Sequence, residues 1–485
     1  MKSTRLMCLI VVMFAMLLFS CNNTTVVKKG EIVGRVTLDG QNEHAGVLVS
    51  IFKAGVVPQE ITDIKKDYAR LGFSLSDREF FDHREHVALE RVYTSQDGSF
   101  SFPKLPYDKY IISYSKEGWG YNYLYEVELN QKEYNLADVD LILYPEVVLP
   151  NYIDQHYVFE EDRTYVANSN VAVAETGSLK FENNSKLLLA DDSIVSVYGG
   201  LECPEIGFAH ISANHGVYGE DISTVICSEG IRAFGDNHVF RNLRFSHLRK
   251  ALDVTGENNN FDSLLINNCD IGLIVSNSDD IELRNSIFVC SGEVESGSAN
   301  VYHSNVVSVV DNIFLNNTIG LRNELVKECL IANNAFLENN KGFQNLWESE
   351  TLLQHNYINS HGIGIENSGK SNLEILRNDI HAKVCIKTYH TLNWYNTVTN
   401  GWTKSNYNNF NATLYAVESR ARYYCSEEQY PLDFKNNYWH VTSAAKIDEL
   451  IIDYHDLDTE VTTTVFSVVE YVPFRQSKVS DAGIE

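Results

Sequence analysis

The chain has 485 residues, which is long enough for two or three domains. Hydrophobic residues make up 44% and charged residues 21%, and this balance argues against wholesale disorder. The formal net charge is −26. A surface this acidic repels nucleic acid and other polyanions unless a local basic patch or a bound cation intervenes. The composition therefore argues against a nucleic-acid partner. It also weakens the simplest hypothesis of an enzyme that binds an acidic polysaccharide.

The N-terminus has the features of an export signal. Lys2 and Arg5 precede a short apolar run over residues 6–19, which is typical of a secretory signal rather than a spanning helix. The sequence Leu18-Phe19-Ser20-Cys21 resembles a bacterial lipobox, and this resemblance implies that residues 1–20 are removed and that Cys21 receives lipid. Residues 21–29 would then be a tether at the outer membrane or cell surface. Ordinary cleavage beside an incidental cysteine is the alternative.

Seven cysteines remain once Cys8 leaves with the signal and Cys21 takes lipid. An odd number prevents complete pairing, and no Cys-x-x-Cys spacing suggests a zinc site. We expect most of these cysteines to be small buried residues. Cys269 and Cys290 stand about one repeat apart, so a disulfide between them is the pairing that the spacing suggests.

Residues 30–145 predict a first, small β domain. An Asp97-Gly98 turn between apolar alternations is a hairpin signal, and Leu105-Pro106 and an aromatic strand follow it. This order resembles the carboxypeptidase regulatory-like domain, which implies an Ig-like β-sandwich. A charged insertion at about residues 53–91 departs from that family and is expected to be helical over residues 64–71 and 77–89. The domain could bind a ligand, but a spacer is favoured because no catalytic constellation is visible.

A fixed period dominates residues 146–440. Apolar anchors at Phe314, Phe336, Ile358 and Ile380 are each 22 residues apart, and Phe245, Ile266 and Phe288 extend the series. An asparagine stands two residues before most anchors and a glycine six residues after several. A period of this length predicts one coil of a parallel β-helix, in which the asparagines stack as a ladder. Both residue types are expected in turns that need left-handed backbone. A leucine-rich repeat shares the period but its leucine signature is missing.

The repeats resemble the pectin-lyase-like superfamily, whose members bind or cut polysaccharide. We therefore expect an all-β chain in which a right-handed parallel β-helix follows the small sandwich. The stretch from Asn436 to Trp439, with Tyr471 to Phe474, resembles the closing cap of secreted relatives, although His440 replaces the usual glycine. Residues 441–485 would form that cap, with a helix near residues 443–452 and a strand near residues 465–471.

Catalytic motifs are weak. His361 between Ser360 and Gly362 resembles a segment of polygalacturonase-type hydrolases. However, the preceding coils lack the paired aspartates of these enzymes, and Cys385 stands where they have arginine. Superfamily lyases hold calcium on stacked carboxylates, and Glu328 and Glu350 are 22 residues apart. They are weak metal candidates. No cofactor is evident, and Ca²⁺ is the cation that this pair would suit.

Two further groups could bind a glycan. A basic stripe could hold an acidic sugar, or it could be a solvated turn with local ion pairs. The period breaks at residues 388–430, where long loops expose aromatic and basic side chains that stack on sugars or pack against the β-helix. The stripe consists of Arg241, Arg244, His247 and Arg249. The loop candidates are His390, Trp394, Tyr395, Trp402, Arg420, Arg422 and Tyr423.

Two hypotheses follow. The first is an exported, lipid-anchored β-helix protein that binds polysaccharide or has a structural role at the cell surface, without recognisable catalytic residues. The second is a polysaccharide lyase or glycoside hydrolase with a site on the β-helix face or in its C-terminal loops. A protein partner stays open. The sequence leaves the glycan unnamed.

Overall fold

The computed structural model describes residues 28–136, 138–218, 228–289, 296–389, 402–419, 422–423, 430–453, 456 and 465–485. The chain divides into two compact units. The smaller unit is made of Met1–Ala54, Val87–Tyr114 and Tyr123–Ile142, and the larger of Gly55–His86, Ser115–Asn122 and Leu143–Glu485. Most of the insertion in the first domain therefore belongs to the larger unit. None of the described helices is long and apolar enough to cross a membrane.

The smaller unit contains two four-stranded sheets. Its buried residues come from both sheets and include Ile32, Val36, Val49 and Ile51. The sheet pattern agrees with a β-sandwich, whereas the likeness to carboxypeptidase regulatory-like domains stays a prediction. The first sheet consists of Lys29–Leu38, Ser99–Pro106, Glu133–Asn135 and Leu141–Leu143, and the second of Leu48–Lys53, Glu90–Tyr93, Asp108–Lys116 and Gly120–Leu129.

The larger unit is a parallel β-helix, whose coils pass in turn through three faces that we call A, B and C. Faces A and B share one 21-stranded sheet, because four late strands bend from A into B. Face A has Val147–Val148, Thr164–Ala167, Lys186–Leu189, Ala209–Ala213, Leu243–Ser246, Leu265–Asn267, Ile287–Val289 and Ile313–Leu315. Face B has Tyr152–Ile153, Val171–Val173, Val195–Val197, Glu229–Phe234, Lys250–Thr255, Ile271–Ser276, Gly297–Tyr302, Ile319–Glu324 and Ile451–Ile452. The bending strands are Ala335–Leu346, Tyr357–Ser368, Asp379–Tyr389 and Asn409–Ser419.

Face C follows face B in every coil. Its strands form one sheet of three strands and ten strands of an eleven-stranded sheet, whose remaining strand is the short Arg422–Tyr423. Face C has His156–Phe159, Ser178–Phe181, Gly200–Glu202, Val239–Arg241, Asn260–Asp262, Asp279–Arg284, Asn305–Val310, Lys327–Ala332, Glu350–Gln354, Asn372–Leu376, Thr403–Asn406, Tyr430–Asp433 and Val465–Glu470.

The predicted period is confirmed by the strand register. Phe314 pairs with Phe336, Phe336 with Ile358, and Ile358 with Ile380, so each anchor points into the core one coil after the previous anchor. The rings of Phe314 and Phe336 stack with centroids 4.8 Å apart. Because one coil buries the open side of the next, these anchors form a continuous apolar column.

The asparagine ladder is also present, but its backbone differs from the expectation. Asn334 Nδ2 donates to Asn356 Oδ1 at 3.0 Å, and Asn356 Nδ2 donates to Asn378 Oδ1 at 2.9 Å. The left-handed residue is the one before each ladder asparagine, for example Asn333 with φ 54°. The ladder asparagine itself therefore serves as a hydrogen-bonding group and not as the left-handed residue of the turn.

The repeated glycines have a steric reason instead of a conformational one. Gly320, Gly342 and Gly364 lie outside the left-handed region. A Cβ atom at Gly320 would lie 2.6 Å from the carbonyl oxygen of Gly342, and one at Gly342 would lie equally close to that of Gly364. The sequence interpretation of these glycines as left-handed turn residues is wrong. They allow close approach of neighbouring coils where face A bends into face B.

Within the described ranges, three helices accompany the strands. Helix α1 is Gln59–Asp67, α2 is Asp77–Phe80 with a capping box at Ser76, and α3 is Ala444–Asp448 near the C-terminal end. The expected helix over residues 77–89 stops at Phe80. Arg244 Nη1 donates to the carbonyl oxygen of Phe81 at 2.7 Å, so this carbonyl is engaged by the β-helix instead of a continuing helix.

Candidate functional site

Face A is covered by the inserted segment 55–86, which we call the clasp. Ile61, Leu71 and Phe80 of the clasp pack on outward side chains of face A, including Ile287 and Ile313, and all five are buried. The amide of Gly72 also donates to the carbonyl oxygen of Asp311 at 2.7 Å. The middle of face A is therefore an internal interface and not an open binding surface.

The clasp ends in a buried polar group. Asp82 is fully buried, and Arg84 donates from Nη2 to its Oδ2 at 2.7 Å and from Nε to its Oδ1 at 3.0 Å. Arg244 Nη2 of face A lies 3.8 Å from the same Oδ2. Burial would raise the pKa of Asp82, but Arg84, helped by His247 and Arg244, outweighs burial and holds this pKa well below its ordinary value. We call Asp82, Arg84 and Arg244 the Asp82 anchor.

Two histidines beside the anchor are held neutral. Burial lowers the pKa of His83 to about 4, although Asp82 acts in the opposite direction. Burial also lowers the pKa of His210, which hydrogen bonds to Tyr121 at 2.8 Å and to Ser246 at 2.8 Å. The group is thus an ion-paired and hydrogen-bonded junction between the clasp and face A.

Face B presents a different surface. Arg322 pairs in register with Gln344, Gln344 with Glu366, Glu366 with Lys387, and Lys387 with Glu418. The residues between them, such as Phe343 and Ile365, are buried in the core, so this series points outward. We call it the polar row, and Asn300 begins it one coil earlier. Its members are Asn300, Arg322, Gln344, Glu366, Lys387 and Glu418.

The polar row is sheltered and ion-paired. Gln344, Glu366 and Glu418 are 7%, 9% and 4% exposed, although they point away from the core. Glu366 Oε2 lies 2.7 Å from Lys341 Nζ, and Glu418 Oε1 lies 3.4 Å from Lys387 Nζ. Gln344 Oε1 is buried without a hydrogen-bond partner. A buried acceptor without a hydrogen bond reduces the stability of the folded protein. A ligand that donates a hydrogen bond to this oxygen would therefore bind favourably.

Aromatic side chains flank the row where face B turns into face C. Tyr389 lies with its ring centroid 4.8 Å from Lys387 Nζ, and Tyr302 lies near Arg322. Burial would lower the pKa of Lys387, but the hydrogen bond to Tyr389 and the charge of Glu418 outweigh it, so this pKa is raised. Lys387 therefore stays protonated at neutral pH and acts as a hydrogen-bond donor.

The predicted loop residues are only partly visible. His390, Trp394, Tyr395 and Arg420 lie outside the described residues. Trp402 is 44% exposed at the start of a face C strand, and its backbone amide donates to Asn372 Oδ1 at 3.3 Å. Arg422 and Tyr423 form a short strand antiparallel to Val465 and Phe466. In sequence, residues 390–401 connect a strand of face B to a strand of face C.

The predicted basic stripe does not form one surface. Arg244 and His247 are buried beneath the clasp, whereas Arg241 lies on face C, 3.9 Å from Glu205. Arg249 is exposed and pairs with Glu229. Neighbours in the sequence are separated because residues 241–249 pass from face C across face A to the edge of face B.

The predicted metal ligands and cysteines lie at the following positions in the fold. Glu328 and Glu350 are exposed on adjacent face C strands. Within the described ranges, the one compact group of potential ligands is Asp82, Glu85 and His247, so the glutamate pair belongs to no such group. Cys269 is buried, and Cys290 and Cys21 lie outside the described residues. The disulfide and the lipid anchor stay predictions.

The polar row was missed from the sequence although a signal existed. Arg322, Gln344, Glu366 and Lys387 are spaced by 22, 22 and 21 residues, which is the period of the anchors. The anchors, ladder asparagines and glycines that reveal the period all belong to positions other than this outward row. Tracking polar residues at the same period would have found the outward row, because strand neighbours alternate between the two sides of a sheet.

The chain is similar in part to one protein family and to solved structures of two epimerases. The profile of a family described as periplasmic copper-binding protein (NosD) matches residues 209–415. The periplasmic alginate epimerase AlgG has a TM-score of 0.42 and 12% identity, over 68% of this chain and 82% of that chain. The A-module of the mannuronan C-5 epimerase AlgE4 of Azotobacter vinelandii has a TM-score of 0.34 and 13% identity, over 61% and 84%. No curated protein matches the chain.

The donor groups of the described residues do not fit copper. Copper favours thioether, thiolate and imidazole ligands, but all four methionines lie within residues 1–16. Burial raises the pKa of Cys203, Cys329 and Cys385 to about 12, so these thiols stay protonated. The compact group around Asp82 has one imidazole, and Arg84 already occupies its central carboxylate. The described residues therefore do not form a copper site.

Proposed function

We propose that the protein is an exported, lipid-anchored β-helix protein that binds a polysaccharide along face B without cleaving it. The observation that supports this most directly is the polar row with the unfilled acceptor Gln344 Oε1. Successive coils repeat at about 4.8 Å, so the row offers a periodic set of hydrogen-bonding groups to a periodic chain. Sugar hydroxyls can donate to Gln344, and the flanking tyrosine rings suit sugar faces.

A catalytic alternative arises from the same row. Glu366 and Glu418 stand on either side of Lys387, two coils and therefore roughly 10 Å apart along the axis. Paired carboxylates hydrolyse glycosidic bonds when one acts as acid and the other as base. Both carboxylates are instead engaged by lysines, and the raised pKa of Lys387 makes it a poor base for a lyase. These contacts favour binding.

Affinity electrophoresis of the chain without residues 1–21, in gels with soluble polysaccharides, tests the proposal. At least one polysaccharide should retard the protein, and Gln344→Ala should weaken binding about tenfold. Gln354→Ala is the matched control, because Gln354 lies on face C and should leave the affinity unchanged. Release of oligosaccharides that is lost in Glu366→Gln would establish the hydrolase instead. If the protein is not retarded by any polysaccharide and releases no oligosaccharide, both functions are contradicted.

The lipid anchor has its own test. Cys21→Ala in the full-length chain should abolish incorporation of labelled palmitate and move the protein from the membrane fraction to the soluble fraction. Cys203→Ala is the control, since this cysteine lies in the described β-helix. Unchanged membrane association of Cys21→Ala would contradict lipid anchoring and would leave the binding proposal untouched.

A further inference from the structure

The charges of face B cancel. Its strand residues, over 229–234, 250–255, 271–276, 297–302, 319–324, 341–346, 363–368, 384–389 and 415–419, contain five basic and five acidic side chains. Face B is therefore neutral in a chain whose formal charge is −26. The basic residues are Arg232, Lys250, Arg322, Lys341 and Lys387, and the acidic residues are Glu229, Asp253, Glu324, Glu366 and Glu418.

The cancellation is local as well as overall. Arg322 lies 2.8 Å from Glu324, and Lys341 lies 2.7 Å from Glu366. Arg232 pairs with both Glu229 and Asp253 at 3.2 Å, Lys250 with Glu229 at 3.5 Å, and Lys387 with Glu418 at 3.4 Å. Among these described strand residues, every cation has a carboxylate partner. Lys383 is exposed at the bend before face B and lies outside these strands.

A lysine that is paired with a carboxylate and an unpaired cationic side chain favour different ligands. A polyuronate carries a carboxylate on each sugar, and it gains from a cation that has no partner. On face B it would have to displace Glu366 or Glu418, which are nearly buried, and leave that carboxylate without its counter-charge. The excess negative charge of the remaining chain adds repulsion. An uncharged sugar hydroxyl can donate to the carboxylate and accept from the ammonium group without separating them.

We propose that the ligand of face B is an uncharged polysaccharide and that the ion pairs of the polar row select it against polyuronates. This inference rests on the proposed function of face B. The selecting residues are Lys341, Glu366, Lys387 and Glu418, which contribute as pairs. Selection works because the cations of the described face B strands are already paired, so it depends on both partners of each pair.

Affinity electrophoresis with a matched ligand set tests this selection. The gels contain hydroxyethylcellulose, galactomannan, alginate, polygalacturonate or fully methyl-esterified polygalacturonate, with EDTA present to remove calcium. Neutral polymers should retard the protein, and the charged polymers should bind at least about tenfold more weakly than the best neutral one. Equal or stronger retardation by alginate or polygalacturonate would overturn the inference while the proposed function stands. Retardation by none of the polymers would overturn the proposed function and the inference with it.

A variant should reverse the selection. Glu366→Gln with Glu418→Gln leaves Lys341 and Lys387 without their partners, so the variant should gain binding to polygalacturonate by about tenfold. Glu374→Gln is the matched control, because Glu374 pairs with Lys404 at 3.5 Å on face C and its loss should not create such binding. No gain in a variant that melts like the wild type would overturn the assigned selecting residues. If the double variant is unfolded, the single Glu366→Gln variant provides the same comparison.

Discussion

Faces A and B are built by the same coils and have opposite outward chemistry. The outward side chains in the middle of face A are apolar, such as Ile287 and Ile313, and the clasp removes them from water. On face B the corresponding positions carry the polar row, in which lysines pair with glutamates and Gln344 Oε1 is buried without a hydrogen-bond partner. The repeat determines which side chains point inward. The outward side chains determine whether a face is covered by another segment of the chain or stays accessible to a ligand.

The largest expected effect is on face A. Asp82→Ala removes the carboxylate that pairs with the buried guanidinium groups of Arg84 and Arg244. We expect the free energy of unfolding to fall by about 3–5 kcal/mol, because these charges then stay buried without this counter-charge. Urea unfolding followed by circular dichroism measures this loss.

The control for that variant is Glu282→Ala on face C, whose half-exposed side chain lies 3.7 Å from Arg284. Exposed pairs contribute at most about 1 kcal/mol. A loss of comparable size in both variants would show that the Asp82 anchor has no special role in holding the clasp.

Acid should also act on face A more than on face B. The pKa of His83 is about 4 in the folded protein, below the ordinary value of 6.5. The unfolded chain therefore takes up this proton first, and the stability contributed by neutral His83 is complete above pH 6.5 and is lost as the pH falls towards 4. The loss at pH 4 is about 3 kcal/mol for a shift of this size.

The melting temperature between pH 7.5 and pH 4.5 checks this contribution. His83→Gln keeps a donor for the carbonyl oxygen of Val217 but cannot titrate, so its melting temperature should fall less on acidification. The titration of carboxylates elsewhere affects both proteins alike. Identical acid sensitivity of the two proteins would remove His83 from the explanation.

The sequence could predict what repeats in every coil. Phe314, Phe336 and Ile358 reveal the period because the core imposes the same requirement on each turn of the chain. Asn334 and Asn356 reveal the ladder for the same reason. Such local regularities are visible in one sequence because each coil repeats the same physical constraint.

The clasp could not be predicted in the same way. Asp82 and Arg244 are 162 residues apart in the chain, and no repeat relates them. Their meeting depends on how the insertion packs on face A, which is decided by tertiary contacts of Phe80 and its neighbours. The polar row is an intermediate case, since its spacing was visible but its sheltered position depends on the surrounding structure.

A smaller effect should define where the binding surface ends. Trp402 is half exposed on face C, beyond the turn that follows face B. If the polysaccharide extends across this turn, Trp402→Ala should weaken binding about fivefold, which corresponds to roughly 1 kcal/mol for a lost stacking contact. Tyr93→Ala is the control, because this exposed aromatic residue lies in the smaller unit and should leave the affinity unchanged. Unchanged affinity in Trp402→Ala would confine the ligand to face B.

The smallest effect separates two arginines of the predicted basic stripe. Arg249 is 54% exposed and pairs with Glu229, a residue that Arg232 and Lys250 also neutralise. Arg249→Ala should therefore change the free energy of unfolding by less than about 0.5 kcal/mol, since an exposed pair gains little against solvent and two cations remain. Arg244→Ala should cost several times more, because the carbonyl of Phe81 loses its donor in a buried position. Equal losses of unfolding free energy in the two variants, measured with urea, would mean that burial under the clasp does not distinguish these arginines. The contrast between faces A and B would then have no support from stability measurements.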